Sequence, residues 1–241
     1  MVTFLRWTTS PAALFVGQGT CEAIRERSKS KLERSKPVRM EVDDMKLLEF
    51  LADCERQQIP MTQREAAARQ QFGERLAIIM ADSVGFSRIT QEAGIVHFIS
   101  KMASARSLLG TVLQDSSATA FSFHADNCIA FFKTPDQALD AAIAMQRVIC
   151  ESGLALNERE PYGLSIGLGY GDVLRAGDEE GYFGNEVNLA SKLGEDIGGR
   201  DDILLTQSAF EGLQTRAQHK VEAREAVVSG MGIQFFAATW R

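Results

Sequence analysis

The stretch Arg75-Leu-Ala-Ile-Ile-Met-Ala-Asp-Ser-Val-Gly-Phe-Ser87 decides how the chain is read. Leu76 to Ala81 is a short, unbroken apolar run rich in isoleucine, the pattern of a strand buried on both faces. Asp82 follows it directly. A carboxylate at the exit of a buried strand is costly unless something pairs with it, and a metal ion is one such partner. Gly85 permits a tight turn, after which the amides of Ser83 to Phe86 would face an anion. A cation ligand and a phosphate cradle within one hexapeptide suit a nucleoside triphosphate with its metal. The plainer alternative is a strand followed by a loop aspartate that caps the next helix.

A second stretch weighs against the plainer alternative. Ala118 to His124 and Cys128 to Lys133 are strand-like runs with aromatic and β-branched residues. Ala125-Asp126-Asn127 between them suits a tight hairpin, because Asp and Asn tolerate positive φ. Asp126 is then at the hairpin tip. If the hairpin lies beside the first strand, Asp82 and Asp126 meet at one edge, where two carboxylates repel unless a divalent cation sits between them.

Four blocks in order now resemble a known family: Met80-Ala-Asp-Ser-Val-Gly-Phe-Ser87; Phe123-His-Ala-Asp-Asn127 with Phe131-Phe132; Ser165-Ile-Gly-Leu-Gly-Tyr-Gly-Asp-Val173; and Tyr182-Phe-Gly-Asn-Glu-Val-Asn-Leu-Ala-Ser-Lys-Leu193. Together they are similar to the catalytic domain of class III adenylate and guanylate cyclases, from about Arg75 to Trp240. The resemblance implies conversion of ATP, or GTP, to the 3′,5′-cyclic monophosphate and pyrophosphate. It implies two Mg²⁺ or Mn²⁺ ions on Asp82, Asp126 and the Ser83 carbonyl, and phosphate contacts from Val84, Gly85, Phe86 and Ser87. It also implies a head-to-tail homodimer in which Asn188 orients the ribose and Lys192 faces the transition-state phosphate from the other chain. The family usually has arginine where Lys192 stands, so the charge survives without the bidentate fork.

Other positions depart further. The family lysine and aspartate that read the purine edge correspond to Ser122 and Gly181, and the late triphosphate lysine to Ser229. A site lacking both base readers should discriminate purines poorly, since such specificity comes from hydrogen bonds that the wrong base leaves unmade. Glu180, His124 and Lys220 are nearby candidates to substitute. The departures keep a second reading open, a cyclase-homology module that binds nucleotide and regulates a partner by dimerising.

Composition agrees with a globular chain that binds no nucleic acid. Of 241 residues 45% are hydrophobic, and 26 Lys and Arg against 32 Asp and Glu give a formal charge of −6. The mean hydropathy is −0.11 and the pI about 5.2. Cys21, Cys54, Cys128 and Cys150 show no ligand-like spacing. Cys128 and Cys150 fall in apolar runs and read as buried thiols of a reducing, cytoplasmic setting. No run reaches the length of a membrane span.

Three parts follow. Residues 1–40, basic from Arg25 to Arg39, read as a disordered arm, with organellar targeting as an alternative. Residues 41–74 read as a helical linker; the resemblance implies that helices leading into the domain carry a signal from an upstream sensor, and helices that merely pack on the domain are the alternative. The first helix runs from Asp43 to about Gln57, with Met45, Leu48, Leu51 and Ala52 on one face and Leu47 and Phe50 near its flank; the second opens with a Thr62-Gln-Arg-Glu65 capping box. Residues 75–241 read as the catalytic domain. Its long helix carries Ile95, Phe98, Ile99, Met102, Ala105, Leu109, Val112 and Leu113 at helical spacing. Thr134-Pro-Asp-Gln137 caps another. Gly167, Gly169 and Gly171 leave one side of a strand bare for close approach. Val187, Ala190, Leu193 and Ile197 form a buried stripe that leaves Asn188 and Lys192 on a different face. The element order predicts an α/β sandwich, a ferredoxin-like cyclase fold with an N-terminal helical extension.

Overall fold

In the computed structural model, which describes residues 46–177, 181–228 and 231–241, the apolar run of the opening stretch is the spine of a single sheet. Strand β1, Gly73–Ser83, is longer than the run itself. It pairs antiparallel with β3 (Asn127–Phe132) on one side and with β6 (Leu164–Gly177) on the other. Both faces are covered, so Leu76 to Ile79 are buried without alternation. The remaining strands are β2 (Ala120–His124), a small β4–β5 hairpin (Ala155–Asn157, Glu160–Pro161), β7 (Gly181–Phe183), β8 (Ile203–Thr206), β9 (Val221–Val228) and β10 (Met231–Ala238). The main order is β2-β3-β1-β6-β8-β10-β9, with β7 on β6 and the β6–β8 pair parallel.

Among the described residues seven α-helices flank the strands: α1 (Leu47–Arg56), α2 (Met61–Phe72), α3 (Phe86–Ala93), α4 (Ile95–Asp115), α5 (Pro135–Glu151), α6 (Asn185–Ser191) and α7 (Gln207–Gly212). The main core joins Ala77, Ile79 and Ala81 of β1 to Phe98, Leu109 and Leu113 of α4 and to Leu139, Met145 and Ile149 of α5. On the opposite face Leu76 and Ile78 meet Phe131, Val173 and Ala190. Helix α5 begins as expected, with Thr134 as N-cap in a complete capping box with Gln137 and proline in the first turn.

Several local expectations are corrected. Helix α2 starts at Met61 after Pro60, with no side-chain cap, so Thr62 lies inside the first turn and makes no capping box. Helix α1 buries Leu47 and Cys54, with Phe50 and Leu51 packed alongside, while Leu48 is exposed; the contact is made to Ala68, Leu174 and Ala176, which lie on the Leu47 side. In α4 the outermost apolar positions, Ile95 and Ile99, are exposed. Cys128 and Cys54 are buried, but Cys150 is exposed. Helix α3 and the β4–β5 hairpin were not anticipated. The arm at 1–40, Met45, Glu180 and Ser229 lie outside the described residues.

Candidate functional site

Asp82 is the penultimate residue of β1, paired across the ladder with Ser165. Asp126 occupies the two-residue loop between β2 and β3, where His124 faces Asn127. The positive φ of that loop falls on Ala125, at 47°, and not on the Asp or Asn that the composition favoured. Because β3 pairs with β1, the loop comes to the end of β1, and the two carboxylates come close enough to act on one another. Burial first, then the Asp126 carboxylate and more weakly Glu195, push Asp82 up to about 7; the Ser83 amide opposes the rise.

Three groups around this pair escaped the sequence. Tyr162, buried just before β6, hydrogen-bonds through its hydroxyl to Ser83 Oγ, and Ser83 Oγ donates to the Asp126 carbonyl at 3.2 Å. Burial pushes the Tyr162 phenol up to about 12, so it stays protonated. Arg106, on α4, donates to the Ala125 carbonyl and lies 5.4 Å from the Phe123 ring centroid. Glu195 accepts from Asn127 Nδ2 at 3.3 Å. These partners are far from Asp82 and Asp126 in sequence and carry no local motif. Glu195 has one faint signal, its place just beyond the Asn188–Lys192 helix.

The phosphate loop holds in part. Gly85 is left-handed, at φ 103°, and serves as N-cap of α3, whose Ile89 amide closes on the Gly85 carbonyl at 3.0 Å. The Val84 amide, however, donates to the Gly163 carbonyl at 3.0 Å and is already taken. The first-turn amides of Phe86 and Ser87 remain as the helix N-terminal donors.

Asn188 and Lys192 sit as the spacing implied. Asn188 is exposed and Lys192 half-buried, while Ala190 and Leu193 are buried. The bare side of β6 receives this helix: a Cβ on Gly167 would lie 2.0 Å from the Ala190 carbonyl oxygen, and one on Gly169 2.6 Å from that of Glu186. Glu186 fastens the same helix by accepting from the Tyr170 amide at 3.2 Å and from Thr206 Oγ1 at 2.6 Å. From Lys192 to Ile197 the helix widens into a π-helical turn.

Ser122 and Gly181 line one cavity of about 660 Å³, with Met80, Phe131, Tyr182 and His124 among its other walls. Ser122 Oγ and His124 Nε2 share a hydrogen bond of 3.0 Å. Lys220 is exposed at the start of β9 and is not part of this cavity. A larger cavity of about 840 Å³ lies between α1–α2 and the β1–β6 ends, and contains none of the sequence-derived site residues.

No family model matches the chain, and no curated protein matches it. Solved structures do match. The adenylyl cyclase CyaB from P. aeruginosa is 19% identical, with a TM-score of 0.58 over 69% of this chain and 94% of that one. The adenylate/guanylate cyclase/hydrolase from Silicibacter pomeroyi is 20% identical, with a TM-score of 0.56 over 69% and 96%. The guanylate cyclase domain of RhGC from Catenaria anguillulae, in complex with GTP, is 16% identical, with a TM-score of 0.58 over 69% and 96%. The fold is that of the class III cyclase catalytic domains.

Within the cyclase fold, the donor set can be judged for a divalent ion. Asp82 and Asp126 are hard oxygen donors whose mutual repulsion a cation would relieve. Among the described residues no group of three or more His, Cys, Asp or Glu side chains is arranged to hold a metal. Two carboxylates with a carbonyl nevertheless fit Mg²⁺, which keeps several waters and takes substrate phosphates instead of an all-protein cage. No helix among the described residues is long and apolar enough to cross a membrane.

Proposed function

We propose that the chain is a nucleotide cyclase acting on ATP or GTP. The 3′-hydroxyl attacks the nucleotide's own α-phosphate, and pyrophosphate leaves as the ring closes. The observation that carries this reading is the β1–β3 pairing that brings Asp126 beside Asp82 at the end of β1, where the Asp82 carboxyl is pushed up to about 7. Asp82, Asp126 and the Ser83 carbonyl would hold two Mg²⁺ or Mn²⁺ ions. Such ions, when bound, acidify the attacking hydroxyl and neutralise developing phosphate charge. Gly85, Phe86 and Ser87 offer backbone donors to the triphosphate, with Val84 contributing shape instead of a free amide. Asn188 orients the ribose, and Lys192 supplies one positive charge near the transition-state phosphate, as a point charge without arginine's fork.

The half-site on α6 belongs, in this proposal, to the second chain of a homodimer. A polar face opposite a buried stripe then has a use beyond solvation. Helices α1 and α2, packed on β6 through Leu47, Ala68 and Ala176, are proposed as the route for an upstream regulator into the domain.

Assays of the purified protein with ATP and with GTP, each with Mg²⁺ and with Mn²⁺, test turnover. Calorimetry with Mn²⁺ and a non-cyclising ATP analogue tests the site apart from turnover. Asp82→Asn and Asp126→Asn should each abolish the metal-dependent part of binding, and unchanged binding in both would remove the metal site.

A further inference from the structure

We propose that Tyr162 is a positioning residue that sets the affinity of the carboxylate pair for a divalent cation, by bracing the hairpin tip against the end of β1. The proposal rests on the cation-binding reading of Asp82 and Asp126.

The bonding order follows from counting protons. Ser83 has one hydroxyl proton, and it goes to the Asp126 carbonyl. The Tyr162 hydroxyl must therefore donate to Ser83 Oγ. The resulting line runs from Tyr162 through Ser83 to the backbone of Asp126 and crosses between three segments. Tyr162 and Ser83 are each only 4% exposed, so water cannot readily replace either bond. The next residue adds a grip on the same strand, since the Gly163 carbonyl accepts from the Val84 amide at 3.0 Å. Residues 162 and 163 thus hold β1 at Ser83 and Val84 together.

The hairpin tip needs such a hold. Its Ala125 is at φ 47°, a conformation that a residue with a Cβ adopts reluctantly. Its Asp126 carboxylate faces that of Asp82, a like charge. Arg106 holds the Ala125 carbonyl from the α4 side, and Tyr162 with Ser83 holds the Asp126 carbonyl from the β6 side. A pair fixed before the cation arrives loses less freedom on binding it, which raises affinity. Groups behind metal ligands commonly act this way. Tyr162 is not a ligand in this account, because its hydroxyl is turned to Ser83.

The test is Mn²⁺ binding to the full chain, followed by electron paramagnetic resonance in the presence of a non-cyclising nucleotide analogue. Tyr162→Phe keeps the ring in the core and removes only the hydroxyl. It should weaken Mn²⁺ by about tenfold. Ser83→Ala, which keeps the backbone carbonyl, should weaken it similarly, and the double variant should be no worse than the weaker single one, since both changes cut one line. Thermal unfolding in chelator identifies the folded temperature range for each variant. A purely structural role would lower the unfolding midpoint and leave Mn²⁺ affinity of the folded protein alone. Wild-type binding with unchanged affinity in Tyr162→Phe and Ser83→Ala overturns the brace and spares the proposed function. Absence of Mn²⁺ binding in the wild type overturns both.

Discussion

At the scale of single residues, Asp82 links charge, stability and ligand. Its folded value of about 7 lies above its ordinary 3.8. A carboxyl raised in the folded state contributes stability that is full below 3.8 and is lost as pH rises towards 7, because the ionised form is the disfavoured one in the fold. Metal-free protein should therefore lose stability from pH 5.5 to pH 8 through this group, and Asp82→Asn should remove that part of the slope in thermal unfolding with chelator present. Mn²⁺ affinity should move the other way. One pH unit below 7 only about a tenth of Asp82 is ionised, so Mn²⁺ should bind about tenfold more weakly at pH 6 than on the plateau above pH 8. A flat affinity across that window would contradict the assignment of Asp82 as a ligand. The two aspartates were legible in the sequence because each sits beside a strong local signal, an apolar run and a hairpin turn. Tyr162 and Arg106 were not, since their contacts arise only when β6 and α4 are brought to the end of β1.

Among the elements, the seat of α6 against β6 decides whether Asn188 and Lys192 are held in place. The glycines read in the sequence as a bare strand face serve close packing: Gly167 faces the Ala190 carbonyl, and Gly169 faces the Glu186 carbonyl, where a Cβ would lie 2.6 Å away. Both obstacles are backbone and cannot swing aside. Gly167→Ala should cost about 3 kcal/mol or more and lower the unfolding midpoint accordingly. Gly110 on α4 is the contrasting case, with nothing within 4 Å of an added Cβ and no positive φ. Gly110→Ala should stabilise by about 0.5–1 kcal/mol in denaturant unfolding, through helix propensity. Long elements with a clear period, such as α4, α5 and β6, were readable. Helix α3 was not, because eight residues with Ile89 as their one buried side chain leave too little periodicity to see. The capping box at Thr62 misled because the helix starts earlier: Pro60 is the N-cap residue, with no side-chain donor or acceptor, and the Gln63 and Arg64 amides close on its carbonyl.

At the scale of the whole molecule, the order of the main strands and helices was legible, without α3, the β4–β5 hairpin and β7, while the dimer is an inference from what one chain leaves incomplete. The carboxylate pair lies where β1 meets the hairpin loop, while Asn188 is exposed on α6 and Lys192 is half-buried at the start of the π-helical turn that follows it. Among the described residues neither Asn188 nor Lys192 makes a side-chain hydrogen bond or ion pair. A two-fold dimer would repeat each half-site and complete two sites. Catalysis would then need both chains, because the 3′-hydroxyl must be fixed against the α-phosphate from two sides. The most direct test mixes two separately inactive variants, Asp82→Ala and Asn188→Ala, and measures pyrophosphate release after subunit exchange. In the mixed dimer one site carries both lesions and the other carries none, so the account predicts that part of the wild-type activity returns. Continued inactivity of the mixture, with mixed dimers demonstrated and the wild type active, would contradict a site shared between chains.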